Sequence, residues 1–501
     1  MAALSRNFVF NRLETMNKDI ELTKSQQHIL DQLVEFVNSP EQRVFILNGF
    51  AGTGKTTLMK FFVKKLIDIK RPYQLLAPTG RAAKVLSNLS GSKAETIHSL
   101  IYKFSSLNKD LSTFDSKDLT VEKTGQLFLN FTPTILDEDA TEPTVYIIDE
   151  SSMVSDFEQK NITQASFGSG KLLTELLDYD KRPQSKYVFI GDPCQLPPIE
   201  GSFSPALMPL YFTKRFGIDV EEHSLTEILR QSGDSDLIAT SHLIRQRYAT
   251  APEDESWYGN QQMWGRIPLR NCGDLVLHID LDSMVNSYIE HIKQNGYNDA
   301  IFIAQSNRKS NQLSAAIRKK LGFGPFLQKG DLLMVVQNNY PTSLMNGDMV
   351  EVQYVGSRRT RMADLDFVTV SVKELFTGLK YETLLLESML NQDSVNLSSD
   401  QQTRLFINFV MRCQDQGIDM KKNPEEFRRA LLKDPYLNAL RCSYGYAITC
   451  HKAQGGEWNQ VFIDFGNVAL NPTKAKYQWV YTAITRARQK IHTLNKPYIG
   501  Y

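Results

Sequence analysis

Cysteine is scarce in this chain and nowhere paired. The five residues (Cys194, Cys272, Cys413, Cys442 and Cys450) are scattered with no C-x-x-C among them. Neither a zinc site nor a disulfide framework follows, and a reducing compartment fits best. Net charge is also lacking: 57 Lys and Arg against 56 Asp and Glu leave +1. That excludes a histone-like, wholly basic binder, yet a local basic channel can sit on a neutral protein. No apolar run approaches membrane-span length, and residues 1–20 lack the apolar core of a signal peptide. These absences lead us to expect a soluble, cytoplasmic protein without a membrane partner.

What is present is ordinary in bulk and specific in detail. With 501 residues, 42% hydrophobic and 23% charged, the chain can bury a sizeable core across three or four domains. One stretch, Gly49-Phe50-Ala51-Gly52-Thr53-Gly54-Lys55-Thr56, matches G-x-x-x-x-G-K-[ST] without deviation. An apolar strand, Val44–Leu47, precedes it, and Thr57–Val63 reads as an amphipathic helix. Glycines at this spacing let backbone N–H groups, from Gly49 through Ala51, Gly52, Thr53, Gly54, Lys55 and Thr56 to Thr57, close around a polyphosphate at a helix N-terminus. Lys55 reaches the β/γ-phosphates and the Thr56 hydroxyl holds Mg²⁺. A glycine-rich turn before an ordinary helix is the bland alternative, and both flanks argue against it.

The carboxylates needed for hydrolysis lie downstream. Val145-Tyr146-Ile147-Ile148 is a buried-strand pattern ending in Asp149-Glu150. Asp149 is placed to bind Mg²⁺ and Glu150 to polarise the attacking water. Apolar strands at 44–47, 74–77, 145–148 and 187–190 alternate with helical stretches, as in a parallel sheet with covering helices. The rhythm breaks between about 104 and 143, where Gln126–Phe131 keeps a strand-like alternation, so a projecting β-hairpin is expected there. A second α/β block is expected from 217, interrupted at 351–440 by a β-rich and then helical insertion. Gly168-Ser169-Gly170-Lys171 imitates a second phosphate loop, but Leu172 stands where Ser/Thr should follow, and we read it as a surface loop.

Further segments carry a family resemblance. Leu22–Gln26 resembles the Q motif of helicases, Ala77–Lys84 motif Ia, and Thr96–Ser99 the adjoining DNA-contacting motif. Asp149–Met153 resembles motif II, Gly191–Pro198 motif III, Leu225–Gln231 motif IV, Ala447–Trp458 motif V and Val480–Arg488 motif VI. In this order they resemble the superfamily 1B, RecD-like DNA helicases, with insert placement similar to the Dda-like branch. The signature that follows motif II in the petite-integration-frequency branch is not evident in Val154–Phe157.

The resemblance implies an α/β fold of two RecA-like parallel-sheet motor domains with ATP and Mg²⁺ in the cleft between them. It places an N-terminal tail at 1–20, motor 1A at 21–103 and 144–216, a pin at 104–143, motor 2A at 217–350 and 441–501, and an SH3-like plus helical accessory domain at 351–440. It gives Gln26 to adenine, Gln195 to γ-phosphate sensing, Arg230 and Arg486 to the γ-phosphate from outside the P-loop, and Glu457 to the ribose end. Single-stranded DNA would meet Pro78, Thr79, Gly80, Lys84, Thr96 and His98 on the first block and Thr449, His451 and Lys452 on the second. Phe128, then Phe131, would be the pin's wedge at a duplex fork, unless both rings anchor a small core. Hydroxyl, amide and cation contacts to a backbone are sequence-tolerant and salt-sensitive. The resemblance thus implies an ATP-dependent 5′→3′ DNA helicase, active as a monomer, with replication or recombination proteins as partners. An RNA helicase or remodeler, a DNA-binding module that does not unwind, and a motor subunit of a recombination complex stay open as alternatives.

Overall fold

The structure, a computed structural model, describes residues 21–107, 129–136, 142–158, 165–199, 201–227, 236–269, 274–339, 341–390, 392, 396–419 and 422–500. Its architecture is α/β. The first part runs α1 (Lys24–Asn38), β1 (Val44–Gly49), α2 (Lys55–Asp68), β2 (Tyr73–Ala77), α3 (Gly80–Ser90), β3 (Ala94–Thr96), α4 (Ile97–Ile101), β4 (Tyr102–Leu107), β5 (Leu129–Pro133), β6 (Val145–Ile148), β7 (Ala165–Phe167), α5 (Leu172–Tyr179), β8 (Lys186–Gly191), α6 (Pro209–Phe216) and β9 (Val220–Leu225). Strands β3, β2, β6, β8, β1 and β9 form, in that order, a six-stranded parallel sheet. Val44 to Leu47 and Val145 to Ile148 are buried, as strands covered on both faces must be.

The expected start of a second block at 217 is corrected by β9. It pairs with β1 from Val44↔Val220 to Gly49↔Leu225 and so completes the first sheet as its edge. Its sequence, Val-Glu-Glu-His-Ser-Leu, buries only Leu225, and a half-exposed edge strand carries no mark of the sheet it will join.

The projecting element is described at its base. Strand β5 pairs antiparallel with β4 and parallel with β7, giving a three-stranded sheet. Residues 108–128, and with them Phe128, lie outside the described residues.

The second part continues with α7 (Asp236–Thr250), β10 (Ile267–Pro268), β11 (Leu275–His278), α8 (Leu281–Asn295), β12 (Ala300–Ala304), α9 (Asn307–Lys320), β13 (Leu332–Val335), β14 (Met349–Met362), β15 (Leu365–Glu374) and β16 (Lys380–Leu386). After these come α10 (Ser399–Asp415), α11 (Pro424–Lys433), β17 (Cys442–Tyr444), β18 (Ala447–Thr449), α12 (Cys450–Ala453), β19 (Trp458–Ile463), α13 (Lys474–Ile484), β20 (Ala487–Leu494) and β21 (Ile499–Gly500). Strands β11, β20, β19, β12 and β18 make a five-stranded parallel sheet. Strands β16, β15, β14, β13 and β17 make an antiparallel one. The antiparallel sheet therefore draws in 332–335 and 442–444, from either side of the expected 351–440 insertion. Register shifts at Val352/Tyr354 and Val355/Arg359 interrupt the β14–β15 ladder, the kind of irregularity that bends a strand. Helices α10 and α11 share a small core around Phe406, Phe409, Phe427 and Leu431, and Phe104 and Leu129 from the projecting sheet pack against it.

Candidate functional site

Strand β1 delivers the glycine-rich loop and α2 leaves it. Gly54 takes the left-handed conformation (φ 77°) just before the helix, a geometry a side chain would strain. At Gly49 any Cβ would lie 2.9 Å from the Lys55 stem and the Thr53 hydroxyl, so the backbone passes directly over the lysine. Lys55 Nζ donates to the carbonyls of Gly49 (2.6 Å) and Phe50 (3.1 Å), which folds the amine back into the loop's concavity. Gln26 is buried against this loop; its Nε2 donates to the Thr53 carbonyl at 3.3 Å and its Oε1 accepts from the Thr23 amide at 3.1 Å. One end of the Gln26 amide thus ties α1 to the loop, and the other caps the start of α1 itself.

At the end of β6, Asp149 Oδ1 accepts from the Glu150 amide at 2.9 Å. Glu150 takes a left-handed backbone (φ 51°), unusual for a residue with a side chain, which turns the chain sharply after the strand. Burial and then the Glu150 charge push the Asp149 carboxyl up, while Lys55 pulls it down. A buried carboxylate destabilised in this way is chemically suited to a cation, and with Thr56 at the first turn of α2 the donor set fits a Mg²⁺–nucleotide.

Across the cleft, α13 supplies Tyr481 and, just beyond its end, Arg486. The Tyr481 hydroxyl donates to Asp192 Oδ2 at 2.7 Å and accepts from the Ala51 amide at 3.1 Å, joining the loop after β8 to the glycine-rich loop. Arg486 is buried and donates to Thr482 O (3.0 Å), Gly456 O (3.2 Å) and Thr485 Oγ1 (3.2 Å). Gln195 is buried as well. Its backbone carbonyl accepts from Gln478 Nε2 at 3.1 Å, while its side-chain Oε1 has no partner among the described residues. Glu457 stands apart, half exposed and paired with Arg488 at 3.2 Å. Arg230 lies outside the described residues.

Sequence reasoning missed Tyr481 and Arg245 as site residues. Tyr481 sits inside the run quoted for motif VI, so its position was available; Arg245 is one arginine on α7 with no motif to mark it. Arg81, quoted within motif Ia without a role, is half-buried on α3 and lines the channel described below. Its guanidinium lies 4.6 Å from the Trp458 ring centre, and burial lowers its pKa to about 10.

Comparison with known proteins follows the same division. Residues 21–263 match the AAA domain family and residues 444–492 the UvrD-like helicase C-terminal domain, together more than half the chain. The ATP-dependent DNA helicase dda of Enterobacteria phage T4 is 24% identical over 94% of this chain and 98% of its own length. An uncharacterized protein, R530, of Acanthamoeba polyphaga mimivirus is 24% identical over 93% and 98%. The ATP-dependent RecD2 DNA helicase of Deinococcus radiodurans is 23% identical over 94% of this chain and 48% of its own. These matches together indicate a helicase of superfamily 1B. Among solved structures, Bacteroides Pif1 bound to ssDNA aligns over 96% of this chain and 94% of its own at 17% identity and a TM-score of 0.48.

In this chain a channel of about 840 Å³ gathers most of the expected nucleic-acid residues. Pro78, Thr79, Gly80, Thr96 and His98 line it from the first sheet's side, and His451 and Lys452 from α12. Thr79 and Thr96 also cap their helices, accepting from the Ala82 amide (3.2 Å) and the Ser99 amide (3.1 Å). Burial lowers the Lys452 pKa to about 8 and the His98 pKa to about 4, so His98 is neutral at pH 7. Lys84 and Thr449 are not among the lining residues: Lys84 pairs with Asp348 from the loop before β14, and Thr449 is buried at the end of β18. Phe131 reaches the channel from β5 but is stacked on Phe167 at 4.8 Å.

The imitation phosphate loop at 168–171 is filled by the chain itself. The Ser169 amide donates to Glu175 Oε1 at 2.6 Å, and the Tyr102 hydroxyl donates to the same carboxylate. An internal carboxylate sits where an anion would.

Proposed function

We propose that this chain is an ATP-dependent DNA helicase that moves 5′→3′ on single-stranded DNA and unwinds duplex ahead of it. The channel carries the reading: it brings the Thr79 and Thr96 hydroxyls from the first sheet's side and the Lys452 cation from the second onto one path. In this reading Lys55, Gln195, Arg230 and Arg486 act on the γ-phosphate, Glu150 orients water, and Thr56 with Asp149 would hold Mg²⁺, which supplies charge neutralisation when bound. Gln26 and Glu457 belong to the nucleoside end. Lys84 and Thr449 act next to the DNA path, and Phe128 is the wedge. Motor 1A is 21–103 with 144–225, motor 2A is 226–331 with 445–501, 104–143 is the pin, and 332–444 the accessory unit.

The T4 and Deinococcus relatives, both ATP-dependent DNA helicases, support DNA as the substrate and ATP as the fuel. Monomeric action and replication or recombination partners complete the proposal. The test is unwinding, with ATP, of three duplexes carrying a 5′ DNA tail, a 3′ DNA tail or a 5′ RNA tail. We expect efficient strand separation only of the 5′ DNA-tailed duplex. Preference for the 3′ tail would reverse the polarity, and equal use of RNA would remove DNA selectivity.

A further inference from the structure

Arg245 projects from α7, which packs beside α13, the helix that brings the Tyr481 hydroxyl to the Ala51 amide of the glycine-rich loop. Its guanidinium carbon lies 3.6 Å from the centre of the Phe50 ring, in the loop itself. That contact is well inside the cation–π range of about 6 Å and fixes the plane of the guanidinium. One terminal nitrogen, Nη1, is buried and meets no hydrogen-bond acceptor among the described residues. A buried cationic N–H without an acceptor is costly, so Nη1 calls for an acceptor that the described residues do not supply.

Asp192 is the acid that feels Arg245, but it does not satisfy Nη1. Its Oδ2 accepts from the Tyr481 hydroxyl at 2.7 Å and its Oδ1 from the Cys194 amide at 3.0 Å. Lys55 acts on the same carboxylate. Asp192 thus has two cations in electrostatic reach, one of which is the lysine that meets the β/γ-phosphates. This fixes Arg245 at the phosphate end of the cleft and away from the nucleoside end.

We propose that Arg245 binds the terminal phosphate of the nucleoside triphosphate, with Nη1 donating to a γ-phosphate oxygen while the guanidinium stays stacked on Phe50. Arginine suits this task because its planar fork can stack on one face and donate at its edge, which a lysine ammonium does not do. The proposal rests on the reading of Gly49–Thr56 as the nucleotide loop. It adds to Arg230 and Arg486 a group that distinguishes tri- from diphosphate at the binding step.

The experiment measures equilibrium binding of fluorescent ADP and of the fluorescent β,γ-imido analogue of ATP, both with Mg²⁺ and without DNA. Wild type is compared with Arg245→Ala, Arg245→Gln and Arg245→Lys. Loss of a charge-assisted hydrogen bond predicts that Arg245→Ala and Arg245→Gln bind the triphosphate roughly tenfold to a hundredfold more weakly. ADP affinity should stay within about twofold, and Arg245→Lys should fall between. If Arg245→Ala does not fold, Arg245→Gln decides, since it keeps most of the side chain's bulk over Phe50. Equal weakening of both nucleotides would make Arg245 a structural strut, and no weakening of either would remove it from the site. Each of those outcomes overturns the proposal. A wild-type protein that binds neither nucleotide would defeat the underlying nucleotide reading instead.

Discussion

Arg486 donates to three uncharged oxygens, so its positive charge is held in the cleft without a carboxylate quenching it. A charge kept in this way acts on negative charge developing in a phosphoryl-transfer transition state and contributes little to ground-state binding. Arg486→Ala should lower the DNA-stimulated turnover number by about 10³ or more while the KM for ATP changes by only a fewfold. Steady-state ATPase kinetics with saturating single-stranded DNA check this, and a raised KM with unchanged kcat would make the arginine a uniform binder. At this scale the sequence was readable wherever chemistry forces a spacing. Lys55, Asp149, Glu150 and Arg486 stand out as candidates because phosphate, metal and water would each demand a fixed residue type. Tyr481 and Arg245 do not, because a hydroxyl or guanidinium that bridges two loops 289 and 195 residues away in sequence, Asp192 for one and Phe50 for the other, leaves no local pattern.

The elements at the base of the projecting sheet are joined by rings. Phe131 stacks on Phe167 at 4.8 Å and meets Phe104 edge-on at 5.8 Å, while His98 from α4 meets Phe167 at 5.1 Å and Tyr102 at 5.4 Å. Phe131 therefore takes the anchoring role that the sequence left open beside a wedge role. The burial that makes the cluster firm also lowers the His98 pKa from 6.5 to about 4, against the pull of the neighbouring Glu175 carboxylate. The unfolded chain thus takes up this proton first. Its stabilising effect is complete above pH 6.5 and is lost as pH falls through that value toward 4, by up to about 3 kcal/mol. Urea denaturation at pH 7 and pH 4.5 should show a smaller drop in stability for His98→Gln than for wild type. Parallel drops would mean that other groups carry the acid sensitivity. Alternation in Gln126–Phe131 revealed a strand here, but no sequence pattern says that its partner on the far side is a three-residue parallel strand from 165–167.

Across the whole molecule, the parallel sheets were legible because fully buried strands are continuous apolar runs; membership at an edge was not, as β9 demonstrates, nor was the antiparallel sheet's reach to β13 and β17. The antiparallel sheet passes into the second parallel sheet through Gly445 and Tyr446 alone. Tyr446 is clamped there, donating to Asp331 at 3.0 Å and accepting from the Leu332 amide at 3.1 Å, and Asp331 is paired with Arg318 at 2.6 Å. A Cβ on Gly445 would lie 2.7 Å from Met349 Cε and 3.0 Å from the Leu333 carbonyl carbon, which is backbone with little room to give. Gly445→Ala should therefore destabilise the protein by about 1–3 kcal/mol, the usual penalty of overpacking. Its thermal midpoint against wild type measures this, and an unchanged midpoint would show that the joint is loose.

The chain leaves the first sheet by β9, whose last residue, Leu225, is paired with Gly49 of the phosphate loop. Continuing from there, it reaches α7 and brings Arg245 back over Phe50. On both sides of that connection the chain touches the phosphate loop, at Leu225 and at Arg245, while the channel lining includes no residue of the loop. Rotation about a spine moves each atom in proportion to its distance from the axis. A rotation centred on those two contacts would carry the channel walls further than the phosphate loop, as the tips of tongs travel further than their pivot.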